Sequence, residues 1–94
     1  MNSEVCIYSY NSRGFSDSKQ DFIKDLAYTI GRSSTIICNQ ENFLLQANEY
    51  IVKNTLPMHH VIFNPATKDS LDGRPRNGMF IAIPETIKEL VKDV

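Results

Sequence analysis

Apolar and polar positions alternate in short blocks along the chain, and each block predicts one element. EVCIYSY (4–10) is rich in β-formers and predicts a strand, closed by the polar turn Asn11, Ser12, Arg13, Gly14. Asp17 or Ser18 can cap a helix, and Gln20 stands three residues after Asp17 at capping-box spacing. Phe22, Ile23, Leu26, Ala27 and Ile30 share one face of that helix, and Gly31 suits its left-handed end. Thr35 to Cys38 predict a second strand. A second helix is expected over about 42–54, with Phe43, Leu44, Ala47, Tyr50 and Ile51 inward. HHVIF (59–63) predicts a third strand, 64–78 a loop dense in Pro, Gly, Asn and Asp, and MFIAI (79–83) a fourth strand. Pro84 suits the first turn of a last short helix carrying Ile87, Leu90, Val91 and Val94.

The resulting order, β-α-β-α-β-loop-β-α, implies an α/β or mixed sheet covered by helices. No internal repeat, low-complexity tract or second domain is visible. The 94 residues suit one small domain, able to bury about 60–65% of its unfolded surface. A 41% apolar and 22% charged composition is that of a globular chain. Ten basic and eleven acidic residues leave a formal charge of −1, so bulk electrostatics give no argument for nucleic-acid binding, although a local patch would suffice.

Cys6 and Cys38 each lie in an apolar run, without metal or disulfide spacing, and are expected to be buried thiols in a reducing compartment. The N-terminus lacks the pattern of a secretory signal, and no apolar run approaches the roughly 18 residues of a membrane helix. A nuclear or cytoplasmic chain with no membrane partner is the expectation.

Sites in layered α/β folds collect at the carboxyl ends of strands. If the first two strands are parallel neighbours, Asn11 and Glu41 share one rim. An amide beside a carboxylate suits Mg²⁺ (or Mn²⁺), which takes oxygen ligands, keeps several waters and often uses one or two carboxylates plus substrate phosphate. The plainer alternative is that Glu41 starts the second helix, where the helix dipole favours an acid, and that Asn42 caps it. His59 and His60 are adjacent on a strand and point to opposite faces, so one at most reaches any site. Asp69 and Asp72 fit turn chemistry. Arg74 and Arg76, with Lys68 nearby, suit phosphate contacts or simply a solvated loop. Metalloprotease and P-loop signatures are missing.

Three blocks in order, YNSRGF, IICNQENF and GRPRNGMFIAI, resemble the first half of an endonuclease/exonuclease/phosphatase domain, with the greatest likeness to the endonuclease domains of LINE-type retrotransposons. The likeness spans about residues 5–91. It implies an α+β four-layer sandwich of which the chain holds about half, and a Mg²⁺-dependent hydrolase that nicks DNA. By the same resemblance Glu41 is the metal-binding carboxylate, Asn11 orients the reacting group, and Gln40 supports the acid. Arg74 and Arg76 then become candidate DNA phosphate contacts. Asn39 and Asn42 depart from the apolar residue and the Thr usual at those positions, and Asn77 replaces the first Gly of a usual pair. The family's Asp-x-Asn strand, its tyrosine and its late Asp-His pair have no counterpart here. The chain alone is therefore expected to be a truncated N-terminal part of such a domain, inactive by itself, with an unpaired apolar face open to self-association. Two alternatives remain: by the same resemblance a non-catalytic retroelement relic, or, from the residues themselves, a small α/β binding module.

Overall fold

The β-branched runs become strands, and they pair over long range. The computed structural model describes residues 6–30, 35–68, 71 and 73–90. Its strands are β1 (Cys6–Asn11), β2 (Thr35–Gln40), β3 (His59–Asn64), β4 (Thr67–Lys68), β5 (Pro75–Arg76) and β6 (Met79–Pro84). Its α-helices are α1 (Asp17–Asp25) and α2 (Glu49–Thr55). The architecture is mixed α/β. β1, β2, β6 and β3 form one sheet in that order, and β4 pairs with β5 as a separate ribbon. β1 lies parallel to β2, while β6 runs antiparallel to both β2 and β3. The carboxyl ends of β1, β2 and β3 therefore meet at one edge of the sheet.

One face of the sheet packs on the helices. Ile37, Phe80 and Ala82 from the sheet meet Ile23, Leu26 and Ala27 from the α1 side and Val52 and Leu56 from the α2 side. Alternation along the strands places Ile7, Ile36, Cys38, Ile81, Ile62 and Met79 on the other face. These residues are half-buried or exposed, Ile7 to 71%.

Several expectations change. Cys6 is exposed and Cys38 half-exposed, because β1 is an edge strand and Cys38 points to the open face. Ser16, whose hydroxyl bonds Ser18 Oγ at 3.2 Å and makes no capping bond to the helix backbone, stands at the start of α1 in place of Asp17 or Ser18, and Gln20 Nε2 instead donates to Phe15 O at 3.0 Å. α1 gives way to a π-turn over Leu26–Ile30. Phe22 is not core but joins Tyr8 and Tyr10 in a ring cluster, with centroids 6.2 and 5.1 Å away.

α2 starts seven residues later than expected, after a 3-10 turn over Gln46–Asn48. That delay changes its phase: Val52 and Thr55 turn inward, and Tyr50 is 59% exposed. Leu44 and Ile51 still pack against the core. The expected loop at 64–78 contains the β4–β5 ribbon, and the last helix is a 3-10 turn over Glu85–Leu90. Gly31, Asp69, Asp72, Val91 and Val94, and the side chains of Ile30 and Leu90, lie outside the described residues.

Phe80 is fully buried on an inner strand and meets Phe15 edge-to-face at 5.8 Å. Phe80→Ala should cost about 3–5 kcal/mol. Urea unfolding followed by far-UV circular dichroism measures it. A loss under about 1 kcal/mol would show that the core is not organised around this ring.

Candidate functional site at the strand ends

β1 and β2 pair flush, Cys6 with Thr35 through Asn11 with Gln40, so Glu41 follows directly beside the end of β1. The Asn11 side-chain amide donates to Glu41 Oε2. The two residues that the sequence placed on one rim are thus in contact. Gln40 lies on the same rim, with Nε2 donating to Ser9 Oγ at 3.1 Å.

Glu41 does not start a helix, and Asn42 is not a helix cap. Residues 41–45 are irregular, and Glu41 and Phe43 both adopt left-handed backbone, φ 53° and 62°. Such geometry at non-glycine residues costs on the order of 1–2 kcal/mol each. Bonds from both sides hold it. Ser12 N donates to Gln40 O at 3.0 Å and Gly14 N to Glu41 O at 2.7 Å. From the other side Asn42 N donates to Gly78 O at 3.1 Å and Phe43 N to Asn77 O at 3.0 Å. Asn42 Oδ1 accepts from Leu44 N at 2.9 Å, closing an Asx turn.

Two asparagines and a glycine that sequence reasoning did not place in the site support it. Asn39, fully buried, donates through Nδ2 to Tyr10 O at 3.3 Å and Ser12 Oγ at 3.0 Å. Its signal in the sequence is an amide inside a strand of apolar neighbours. Asn64 ends β3, opposite Met79, which in turn lies opposite Gln40. Gly78 has φ +86°, and a Cβ there would stand 2.5 Å from Asn42 Oδ1 and 3.1 Å from Ala66 Cβ. Asn77 accommodates the adjacent left-handed position, φ 67°, as asparagine does more readily than most residues.

A cleft of about 380 Å³ runs between these ends, lined by Gln40, Glu41, Asn64, Thr67, Gly78 and Met79 among others. Arg74 and Arg76 are exposed, and Arg76 pairs with the cleft residue Thr67 across the ribbon.

The histidines lie elsewhere. β3 begins with His59 and His60, so they sit at the opposite edge of the sheet, about 17 Å from the Glu41 end for a strand of this length. Tyr28 Oη lies 3.4 Å from His59 Nδ1, with the rings edge-to-face at 5.5 Å. Burial lowers the His59 pKa from its ordinary 6.5, opposed by the Glu85 charge, which raises it. Among the described residues no cluster of three His, Cys, Asp or Glu is placed to hold a metal, and no helix is long and apolar enough to cross a membrane. Comparison of the chain with protein-family models, curated proteins and solved structures finds no match.

Gly78→Ala should destabilise the fold by about 1–3 kcal/mol and shift the Glu41 and Asn42 amide resonances. An unchanged melting temperature and spectrum would refute the close fit. Well above pH 6.5 the His59 ring is neutral in both the folded and the unfolded chain, and its contribution is fully present. As pH falls through 6.5 the unfolded chain binds a proton first, so stability drops until pH passes the lowered folded value. The slope is at most about 1.4 kcal/mol per pH unit. Urea unfolding between about pH 7.5 and about pH 5.5 should show this loss, and His59→Gln should flatten it; equal profiles would contradict it.

Proposed function

We propose that the chain supplies the metal-holding half of a Mg²⁺-dependent phosphodiesterase site, in the manner of the endonuclease/exonuclease/phosphatase enzymes that cut DNA. The observation that carries this reading is the Asn11–Glu41 contact at the ends of two parallel strands, with Glu41 held in left-handed backbone. Sequence likeness in the YNSRGF, NQEN and GRPRNG blocks supports the same assignment.

The donors suit a hard cation that keeps most of its water. One carboxylate is fixed by the Asn11 amide through Oε2, and the neighbouring side chains are oxygen-bearing amides. Glu41 would hold Mg²⁺, or Mn²⁺ in its place, and when bound the ion supplies charge neutralisation at a phosphate oxygen. Asn11 orients Glu41, and Gln40 braces the strand end. Arg76, in β5 opposite the cleft residue Thr67, and Arg74 just before that strand would meet DNA phosphates.

Hydrolysis also needs a group that takes a proton from the attacking water. Both histidines are at the far edge of the sheet, so this chain alone should not turn over. The open apolar face supports a four-layer sandwich in which a second sheet covers it and brings the base. Without that cover, the same face gives the relic reading its support, because it favours self-association.

Millimolar Mn²⁺ should broaden the amide resonances of residues 11 and 40–42 selectively, and Glu41→Gln should abolish the effect. Broadening that is unaffected by Glu41→Gln would falsify the metal assignment. Supercoiled plasmid incubated with the chain and Mg²⁺ should remain intact; nicking that disappears in Glu41→Ala would show that the chain carries its own base.

A further inference from the structure

We propose that the cleft beside Glu41 is a nucleobase pocket, with Asn64 as the residue that reads an adenine edge. This rests on the phosphodiesterase reading and names the part of the substrate next to the reacting phosphate.

Register carries the first step. Asn11, Gln40, Met79 and Asn64 stand in one row across all four strands of the sheet, on the face away from the helices. A ligand held at Glu41 and extending along that row therefore meets Gln40, then Met79, then Asn64. Chemistry carries the second. Gln40, Asn64 and Asn77 contribute side-chain amides, each a donor and an acceptor, while Pro65 and Met79 contribute apolar surface. An amide pairs two-pronged with adenine through N6 and N7, and the apolar side chains can pack on the face of the base. Gln40 is already bonded to Ser9 and Asn77 stands outside the row, whereas Asn64 is in the row and exposed at its strand end, which makes Asn64 the reading group.

Size is consistent. A volume of about 380 Å³ lies at the small end of ligand pockets, which run from roughly 300 Å³. The Glu41 carboxylate at one end of the cleft repels a bare phosphate, so an anionic ligand enters with the cation, and the neutral base occupies the amide end. Gly78 lines the cleft, and the place its Cβ would take is filled by Asn42 and Ala66 on the side away from the lining.

The test follows amide resonances of the chain on titration with 2′-deoxyadenosine 5′-monophosphate, 2′-deoxyadenosine and inorganic phosphate, each with Mg²⁺. Both adenine compounds should shift the Asn64 side-chain amide and the backbone of Gly78 and Met79. Asn64→Leu should weaken the nucleotide about three- to tenfold, the range for one lost hydrogen-bonding group. Its unchanged far-UV spectrum would show that the fold survives. The pocket is overturned if phosphate alone reproduces the shifts, if neither adenine compound produces them, or if Asn64→Leu binds equally well. Selective Mn²⁺ broadening at Glu41 reports on the metal reading separately, so failure of the pocket is distinguished from failure of the reading it rests on.

Discussion

The rim depends on a buried amide. Asn39 lies inside β2, fully sequestered, and its Nδ2 spans to Tyr10 O and Ser12 Oγ at the end of β1. A buried amide left unbonded costs about 1–3 kcal/mol. Any slip of β1 along β2 would break these bonds and turn alternate side chains to the wrong face. Asn39 therefore specifies the flush register, and the flush register brings Asn11 against Glu41. Its Oδ1 has no partner among the described residues, so the side chain contributes position more than stability.

The loop after β2 converts that register into an aimed carboxylate. A helix beginning at Glu41 would have placed the acid on the first turn, answering only the helix dipole. Left-handed backbone at Glu41 and Phe43 instead delays the helix and leaves Glu41 beside Asn11. The Ser12–Gly14 turn bonds the loop from one side and Asn77–Gly78 from the other. Lys19 Nζ reinforces the first turn by donating to Ser12 O and to Arg13 O. Strain held by surrounding bonds on several sides is characteristic of positions where geometry matters more than local preference.

The strands were legible because Thr35–Cys38, His59–Phe63 and Met79–Ile83 are dense in β-branched and aromatic residues, and the helix between β1 and β2 allowed their parallel meeting without requiring it. Insertion of β6 between β2 and β3 was not legible: it joins segments distant in sequence, and local patterning says nothing about which edge a late strand takes. The α2 phase failed because residues 41–45 have helical composition but are claimed by the Asn77–Gly78 loop. Cys6 and Cys38 were misjudged because an apolar run identifies a strand without saying which of its faces is covered. Of the site, Asn11, Gln40 and Glu41 were visible as polar residues ending strands, whereas Asn64 was hidden at the boundary of a long loop and Asn39 looked like a misplaced polar residue.

The polar rim and the open apolar face belong to one surface. The row Asn11–Gln40–Met79–Asn64 continues directly from the rows holding Cys38, Ile81 and Ile62. A layer placed over the apolar rows would remove water from the cleft's inner wall as well as from the isoleucines. The attraction between Glu41 and a cation strengthens steeply as the local dielectric falls. Covering this face would therefore increase burial and deepen the cleft together, while on the helix side the core is already closed around Phe80 and Ile37. The shape of the cleft and the stability of the sheet are physically coupled through the face that the helices leave open.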